Sequence, residues 1–161
     1  MTTHRVDGYF RYNTRNKFSV RLLDQFKRSH DSISSRNFTI DDKYKSNVFN
    51  AVSTFDLTEK LQFRADYNNF YLNYDADRND GADRMDNSGS FYGFFRLTPK
   101  TSLFAEYEFA DIDYDKNDLD NQESRYFGGI RWEMTEKSSG RIKGGYGKKT
   151  YEDDVFEEVD T

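Results

Sequence analysis

The stretch FYGFFRLTPKTSLFAEYEF, residues 91–109, holds two runs of alternating aromatic and polar residues around a short turn phrase. The phrase itself, residues 97–100, recurs at 57–60 and 134–137, and a looser version precedes them at 14–17. The intervals are roughly 40 residues, enough for two strands, a tight turn and a longer connection. The repeat therefore predicts a row of β-hairpins whose short turns share one rim of a sheet.

Longer acidic and Asn-rich stretches separate the predicted hairpins, at 29–42, 75–87 and 115–123. Short turns at one rim and long polar loops at the other are typical of outer-membrane β-barrels. We therefore predict an all-β fold, an antiparallel up-and-down meander of about eight strands that forms part of a transmembrane β-barrel. The predicted strands are 5–13, 18–28, 43–57, 60–74, 88–98, 101–114, 124–134 and 139–151.

Alternation also assigns the two faces of each predicted strand, because successive side chains point to opposite sides. A slip of one residue would turn Arg and Glu toward lipid, at about 2–4 kcal/mol for each charge at the bilayer midplane. The side chains predicted to face lipid are Phe91, Phe95, Leu103, Tyr107, Ile130 and Trp132. Those predicted to face a wet lumen are Arg64, Arg96, Glu106, Glu108, Arg131, Arg141 and Lys143.

The predicted wet face carries aromatic side chains between its charges. Tyr92, Phe94, Phe104 and Phe127 all fall on it by alternation. Two interpretations stay open: these rings offer stacking surfaces to sugars, or they only fill space inside the wall.

Composition narrows the class of protein. The 161 residues suit one domain, 1–161, read as a single β-barrel segment. Aromatic residues make up 17% of the chain and all apolar types only 35%, which suits strands that meet lipid through aromatic side chains better than a soluble core. There is no Cys, so disulfides and thiolate metal sites are excluded. Residues 1–5 have no apolar secretory segment, and we expect an internal piece of a longer barrel.

Candidate chemical sites are few and weak. His4 and His30 have no metal-ligating or triad pattern around them. Glu106 and Glu108 resemble paired catalytic carboxylates, but an acidic stripe on a wet wall is the favoured interpretation. The Gly-rich segment 144–148 lacks the spacing of a phosphate-binding loop. We therefore predict no enzymatic activity, no catalytic residues, no cofactor and no metal.

The acidic loops and exposed aromatics suggest two binding hypotheses. The segments that begin at Asp75 and Asp111 are similar to calcium loops, but neither has Gly sixth and Glu twelfth as an EF-hand requires. A solvated loop is favoured there, and calcium binding stays open. Aromatic side chains on strands are also typical of RNA-binding sheets. The net charge of −5 argues against a nucleic-acid partner, because phosphate binding needs a positive surface.

The segments RLTPKTSLFAEYEFADIDYD, residues 96–115, and GGIRWEMTEKSSGRIKGGYGKKTYED, residues 128–153, carry a family resemblance. Over 43–152 the chain resembles the outer-membrane β-barrel porin family found in bacterial exopolysaccharide clusters. That family has a Leu-Thr-Pro-Lys-Thr turn before an aromatic-rich strand, and a later Gly-x-x-Trp-x-x-Thr phrase before a Gly-Tyr strand. The matching residues here are Leu97, Thr98, Pro99, Lys100, Thr101, Tyr107, Gly129, Trp132, Thr135, Gly145 and Tyr146.

The resemblance implies an outer-membrane conduit for exopolysaccharide export, with membrane lipid, polysaccharide and export machinery as partners. Three alternatives stay open: a general diffusion porin, a barrel sheath around a partner such as a multihaem cytochrome, and a soluble glycan-binding β-sheet domain. The chain has no Cys-x-x-Cys-His motif, so any haem would belong to the partner.

Overall fold

A single antiparallel sheet contains every strand in the described part of the chain, where each strand pairs only with its neighbours in the sequence. The strands are β1 (His4–Thr14), β2 (Phe18–Ser35), β3 (Phe38–Asp56), β4 (Leu61–Tyr74), β5 (Arg84–Thr98), β6 (Thr101–Tyr114), β7 (Asn121–Thr135), β8 (Ser138–Tyr151) and a short β9 (Val159–Asp160). The predicted up-and-down meander of about eight strands is confirmed. This computed structural model describes residues 3–15, 17–35, 38–116, 120–135, 138–151 and 159–160.

Helical structure is limited to one 3-10 helix, Asp77–Ala82, between β4 and β5 in the described part of the chain. Over the same residues, no helix has the length and apolar character needed to cross a membrane.

The Thr of the repeated phrase closes the turns. The Oγ1 atom of Thr58 accepts hydrogen bonds from the backbone N–H groups of Lys60 (3.2 Å) and Leu61 (3.0 Å). In the next hairpin, Thr98 Oγ1 accepts one from the N–H of Lys100 at 3.3 Å. Ser and Thr hydroxyls stabilise turns in this way because they satisfy a backbone donor two residues ahead. The repeat is thus a turn signal, as the sequence predicts.

The Lys that ends each of three turn phrases joins one hairpin to the next. Its carbonyl oxygen accepts a hydrogen bond from a backbone N–H of the following hairpin. The pairs are Lys17 with Asp56, Lys60 with Arg96 and Lys100 with Glu133, each with an N···O distance of 2.8 Å. These bonds fix the phase of the hairpins relative to one another. The turn predicted at the fourth phrase, 134–137, includes residues 136–137, which lie outside the described residues.

The predicted loop at 29–42 is wrong. β2 continues to Ser35 and β3 begins at Phe38, with ladder pairs throughout. The predicted loops at 75–87 and 115–123 are also shorter, because β5 begins at Arg84 and β7 at Asn121. The physical reason is that a membrane-spanning strand needs only about 9–11 residues. Where a strand extends beyond the bilayer both faces meet water, and the alternating pattern that reveals a strand is lost.

The two faces of the sheet differ in polarity and in exposure. One face, here called the apolar face, carries the exposed side chains of Phe91, Leu103 and Ile142, at 53%, 45% and 65% exposure. The other, here called the polar face, carries Phe104 and Glu106, which are only 5% and 4% exposed although no second layer covers them in the described residues. Burial without a covering layer shows that the sheet is concave on its polar face.

Four glycines lie directly opposite aromatic rings on the neighbouring strand. At each one, a Cβ atom would come closer than 3.0 Å to the paired ring. The pairs are Gly89 with Phe109, Gly129 with Phe104, Gly140 with Trp132 and Gly145 with Phe127. The ring covers the glycine backbone, an arrangement that pins the register of a sheet. Crowding, rather than phosphate binding, therefore accounts for Gly145.

We expect Gly145→Ala to lower the stability of the full-length protein by about 1–3 kcal/mol, the usual range for overpacking. A Cβ at Gly145 would lie 2.1 Å from the carbonyl oxygen of Tyr126 and 2.3 Å from Cδ1 of Phe127. The adjacent Gly144 is a matched control, because a Cβ there meets nothing within 4 Å. Unfolding of the purified barrel in urea measures both variants. Equal stability of the two would contradict the crowding.

Candidate functional site

The polar face brings all seven residues predicted for the wet side onto one concave surface. The ladder pairs Arg64 with Tyr92 and Tyr92 with Glu106, and it pairs Arg96 with Ser102. The remaining members, Glu108, Arg131, Arg141 and Lys143, follow by the same registers across β6, β7 and β8. That this surface lines a lumen stays a prediction for these side chains.

The six residues predicted to face lipid all lie on the apolar face. Phe91 pairs with Tyr107, and Phe95 with Leu103. The row continues from Leu103 to Ile130, and Trp132 follows two residues along the same strand face. Their contact with lipid is likewise a prediction.

A chain of alternating charges crosses the polar face from β8 to β6. Its members are Lys149, Glu123, Arg125, Glu108, Lys143 and Glu106 in order of contact. Three cations and three carboxylates make this charge ladder neutral. The sequence indicates Glu106 and Glu108 as an acidic stripe, and in the structure cations from β7 and β8 lie beside both carboxylates.

Lys143 lies at the most enclosed point of the charge ladder. Its Nζ atom is 3.1 Å from Glu106 Oε2 and 3.6 Å from Glu108 Oε1. The same ammonium lies 3.8 Å from the ring centroid of Phe127, a cation–π distance. The Glu106 side chain is only 2% exposed and the Lys143 side chain 28%. A carboxylate this enclosed needs its cation, because an unpaired buried charge is costly.

Three arginines form a second feature, nearer the turn rim. Arg96 pairs in the ladder with Ser102, Ser102 with Arg131, and Arg131 with Arg141, so the arginine row spans β5 to β8. All three arginines are exposed. Within the described residues, no carboxylate lies within ion-pair distance of any of them. The guanidinium of Arg96 instead donates a hydrogen bond to the carbonyl oxygen of Glu59 at 2.7 Å.

Aromatic rings lie beside the arginine row on its loop side. The guanidinium of Arg131 is 5.0 Å from the ring centroid of Phe94, and that of Arg141 is 5.9 Å from the ring centroid of Phe104. Phe94 stacks in turn on Tyr92, with centroids 5.8 Å apart and ring planes 10° apart. Cationic and aromatic surfaces therefore run side by side along the concave face.

The charge ladder includes residues that sequence reasoning missed as site residues. Glu123, Arg125 and Lys149 lie on the polar face, but only their alternation with Arg131 could have indicated this. Of these three, Arg125 contacts Glu108, its ladder partner on β6, and links it to Glu123. In the part of the chain that the structure describes, no group of three or more His, Asp or Glu side chains could hold a metal ion.

The long connections are tied together by ion pairs at the loop rim. Lys116, after β6, donates a hydrogen bond to Asp80 of the 3-10 helix, and this carboxylate raises the pKa of the Lys116 ammonium. Arg78 of the same helix pairs with the buried carboxylate of Asp42 on β3. The loop after β4 is thus held from both sides.

Comparison with known proteins identifies the architecture. Residues 2–161 match the model of the family described as Putative beta-barrel porin 2. The chain belongs to this β-barrel porin family. Its place is accordingly the bacterial outer membrane, and the alternative of a soluble glycan-binding domain is wrong. No curated protein matches this porin-family chain in sequence.

Solved structures of similar fold are outer-membrane proteins of Vibrio cholerae. Outer-membrane expressed OmpT is 15% identical with a TM-score of 0.62, and the match covers 91% of this chain and 46% of that one. The loop L8 deletion mutant of OmpT is 16% identical with a TM-score of 0.66, covering 92% and 49%. The porin-family chain therefore spans about half the length of these structures, and at such identity the likeness shows the fold alone.

Proposed function

We propose that the chain forms part of the wall of an outer-membrane conduit for acidic exopolysaccharide, and that it acts without any covalent step. The observation that carries the proposal is the arginine row, Arg96, Arg131 and Arg141, exposed on the concave face with no carboxylate partner among the described residues. Cation rings of this kind favour anions in pores. Uronic acids and other acidic sugars present the matching carboxylates, which Arg binds with two parallel hydrogen bonds.

The aromatic rings beside the arginines suit the uncharged part of a sugar. A pyranose ring has an apolar C–H face that packs on aromatic side chains, while its hydroxyl groups stay in water. The stacked pair Tyr92 and Phe94 is partly exposed and lies next to Arg131, whereas Phe104, next to Arg141, is buried and supports this surface from below. A polymer sliding along this surface would meet charge and stacking in alternation.

Two features support a conduit over a catalytic site. The carboxylates Glu106 and Glu108 are both engaged by Lys143, which leaves neither as a free general base. The charge ladder is also neutral, so it gives no net preference for anions, and the arginine row supplies exposed cations beside it.

The remaining alternatives predict different roles for the arginine row. A general diffusion porin would need only a net anion preference, with no effect of polymer type. A sheath around a partner such as a multihaem cytochrome would need the partner to be present in the same cells. The resemblance to porins of exopolysaccharide clusters favours the export role over both.

Replacing Arg96, Arg131 and Arg141 together by Glu in the full-length protein is expected to reduce export of an acidic polymer several-fold. The reason is that attraction along the wall becomes repulsion in a confined space. Polymer outside the cells is measured at matched barrel abundance in the outer membrane. The control replaces the same three residues by Lys, which keeps the charge and should retain most export.

Export of a neutral polymer should change much less in the Glu variant, because its passage depends on width and stacking surfaces. Unchanged export of the acidic polymer would remove the arginines from the transport role. Full export from cells that lack the barrel would overturn the conduit itself.

A further inference from the structure

A cluster of basic side chains lies on the apolar face of the sheet. It is nearer the loop rim than the aromatic and aliphatic side chains of that face. Arg28 pairs with Lys45, and His30 with Lys43, on the same strand faces as the apolar-face residue Phe26. These four residues are here called the cation patch. His4 of β1 pairs with Arg28 and extends the patch by one strand. It lies on the opposite side of the sheet from the arginine row.

The cation patch is exposed and only partly neutralised. Arg28 Nη2 lies 3.3 Å from Asp75 Oδ2, and Lys45 Nζ lies 3.6 Å from Asp75 Oδ1. The Arg28 and Lys45 side chains are 51% and 42% exposed, and Lys43 is exposed as well. One carboxylate thus serves two of three permanent cations. Two further acids lie on this face: Asp24 of β2, four residues toward the turn rim, accepts a hydrogen bond from Asn47, and Asp41 of β3 lies two residues from Lys43 along the strand.

The position of the cation patch in the membrane follows from the asymmetry of the rims. Long loops of outer-membrane barrels are extracellular and short turns periplasmic. Directly below the patch the apolar face presents Phe26 and Tyr71, at 38% and 42% exposure. The patch therefore lies where the acyl chains of the outer leaflet end and its headgroups begin. Toward the loop rim of β6 the apolar face carries the acids Asp111 and Asp113 in place of cations.

We propose that the cation patch binds the phosphate groups of lipopolysaccharide in the outer leaflet. Lipopolysaccharide combines acyl chains with phosphates at the headgroup, and the surface combines an apolar belt with cations directly above it. Arg binds phosphate through two parallel hydrogen bonds and Lys through its point charge. The site is independent of what passes through the conduit, because it lies on the other face of the sheet.

The test uses the full-length protein, purified in neutral detergent and titrated with diphosphorylated lipid A. The variant replaces Arg28, Lys43 and Lys45 by Gln. The matched control replaces Arg5, Arg11 and Lys27 by Gln, which removes the same charge from the polar face of β1 and β2. The patch variant should bind at least about tenfold more weakly, since each cation near an anionic lipid surface contributes roughly fivefold. The control should change less than about twofold.

Three results would overturn the proposal: equal weakening in both variants, equal binding of lipid A without phosphates, or inorganic phosphate binding as tightly as the lipid. The first result would mean that binding depends on net charge only, and the second that it depends on the acyl chains only. The third would mean that the patch is a site for free phosphate. If the triple variant does not fold, the Lys43→Gln, Lys45→Gln double variant keeps Arg28 on Asp75 and should still weaken binding severalfold. Unchanged binding in that variant would also overturn the site.

Discussion

Replacing Ile130 by Arg will leave most of the full-length protein unassembled in the outer membrane. Ile130 lies in an outward row between Leu103 and Ile142, which are 45% and 65% exposed in the sheet. A lipid-facing Arg near the bilayer midplane costs about 2–4 kcal/mol, and the cost falls toward the interfaces. The measurement is the fraction of protein that migrates as a folded barrel in outer-membrane preparations at matched expression.

The neighbouring Arg131 provides the control for Ile130. Its side chain lies on the polar face, over Phe94, so Arg131→Ala should assemble nearly as well as the unchanged protein. Ile130→Leu controls for packing alone and should also assemble. If Ile130→Arg and Arg131→Ala assemble equally, lipid does not contact the Ile130 side of the sheet.

The second large effect is expected at the enclosed ion pair. Lys143→Ala removes the cation from Glu106, whose side chain is 2% exposed, and leaves a buried carboxylate without its partner. Breaking a buried pair in this way costs about 3–5 kcal/mol. Water in the full barrel would lower that cost, so a loss near the lower end is expected. Urea unfolding of the purified barrel measures it.

A double variant separates the ion pair from the packing of the lysine stem. Glu106→Gln combined with Lys143→Ala removes both charges and should recover much of the lost stability. Lys149→Ala is the control, because its partner Glu123 is more exposed, at 16%, and also contacts Arg125. A loss in Lys149→Ala as large as that in Lys143→Ala would show that enclosure of Glu106 does not decide the energetics.

Most of the fold follows from patterns visible in the sequence. The period-2 alternation around Phe91, Phe95 and Leu103 assigns faces that the strand registers bear out. The repeated turn phrase gives the phase of the hairpins, and the hydrogen bonds of Thr58 and Thr98 explain why that residue recurs. Both signals are local, because the face on which a strand residue lies and the formation of a tight turn depend on residues only a few positions away in the sequence.

Two features could not be predicted from the sequence, because contacts between distant strands and strand segments surrounded by water leave no local pattern in it. Lys143 of β8 contacts Glu106 of β6 across β7, and such a contact between strands that are not neighbours leaves no trace in the pattern of either strand. The outer part of the hairpin formed by β2 and β3 was missed for a different reason. Strands that stand in water on both sides need no apolar face, so 29–42 looks like a loop in the sequence.

The carbonyl bonds from Lys17, Lys60 and Lys100 have a consequence for how the sheet forms. Because every strand among the described residues pairs only with its sequence neighbours, the topology has low contact order for an all-β protein. Each new hairpin closes a short loop and then docks on the previous one, at a small entropic cost for each step. The sheet can therefore grow in order along the chain, and an error in one hairpin would stop growth at that point without undoing the strands already paired.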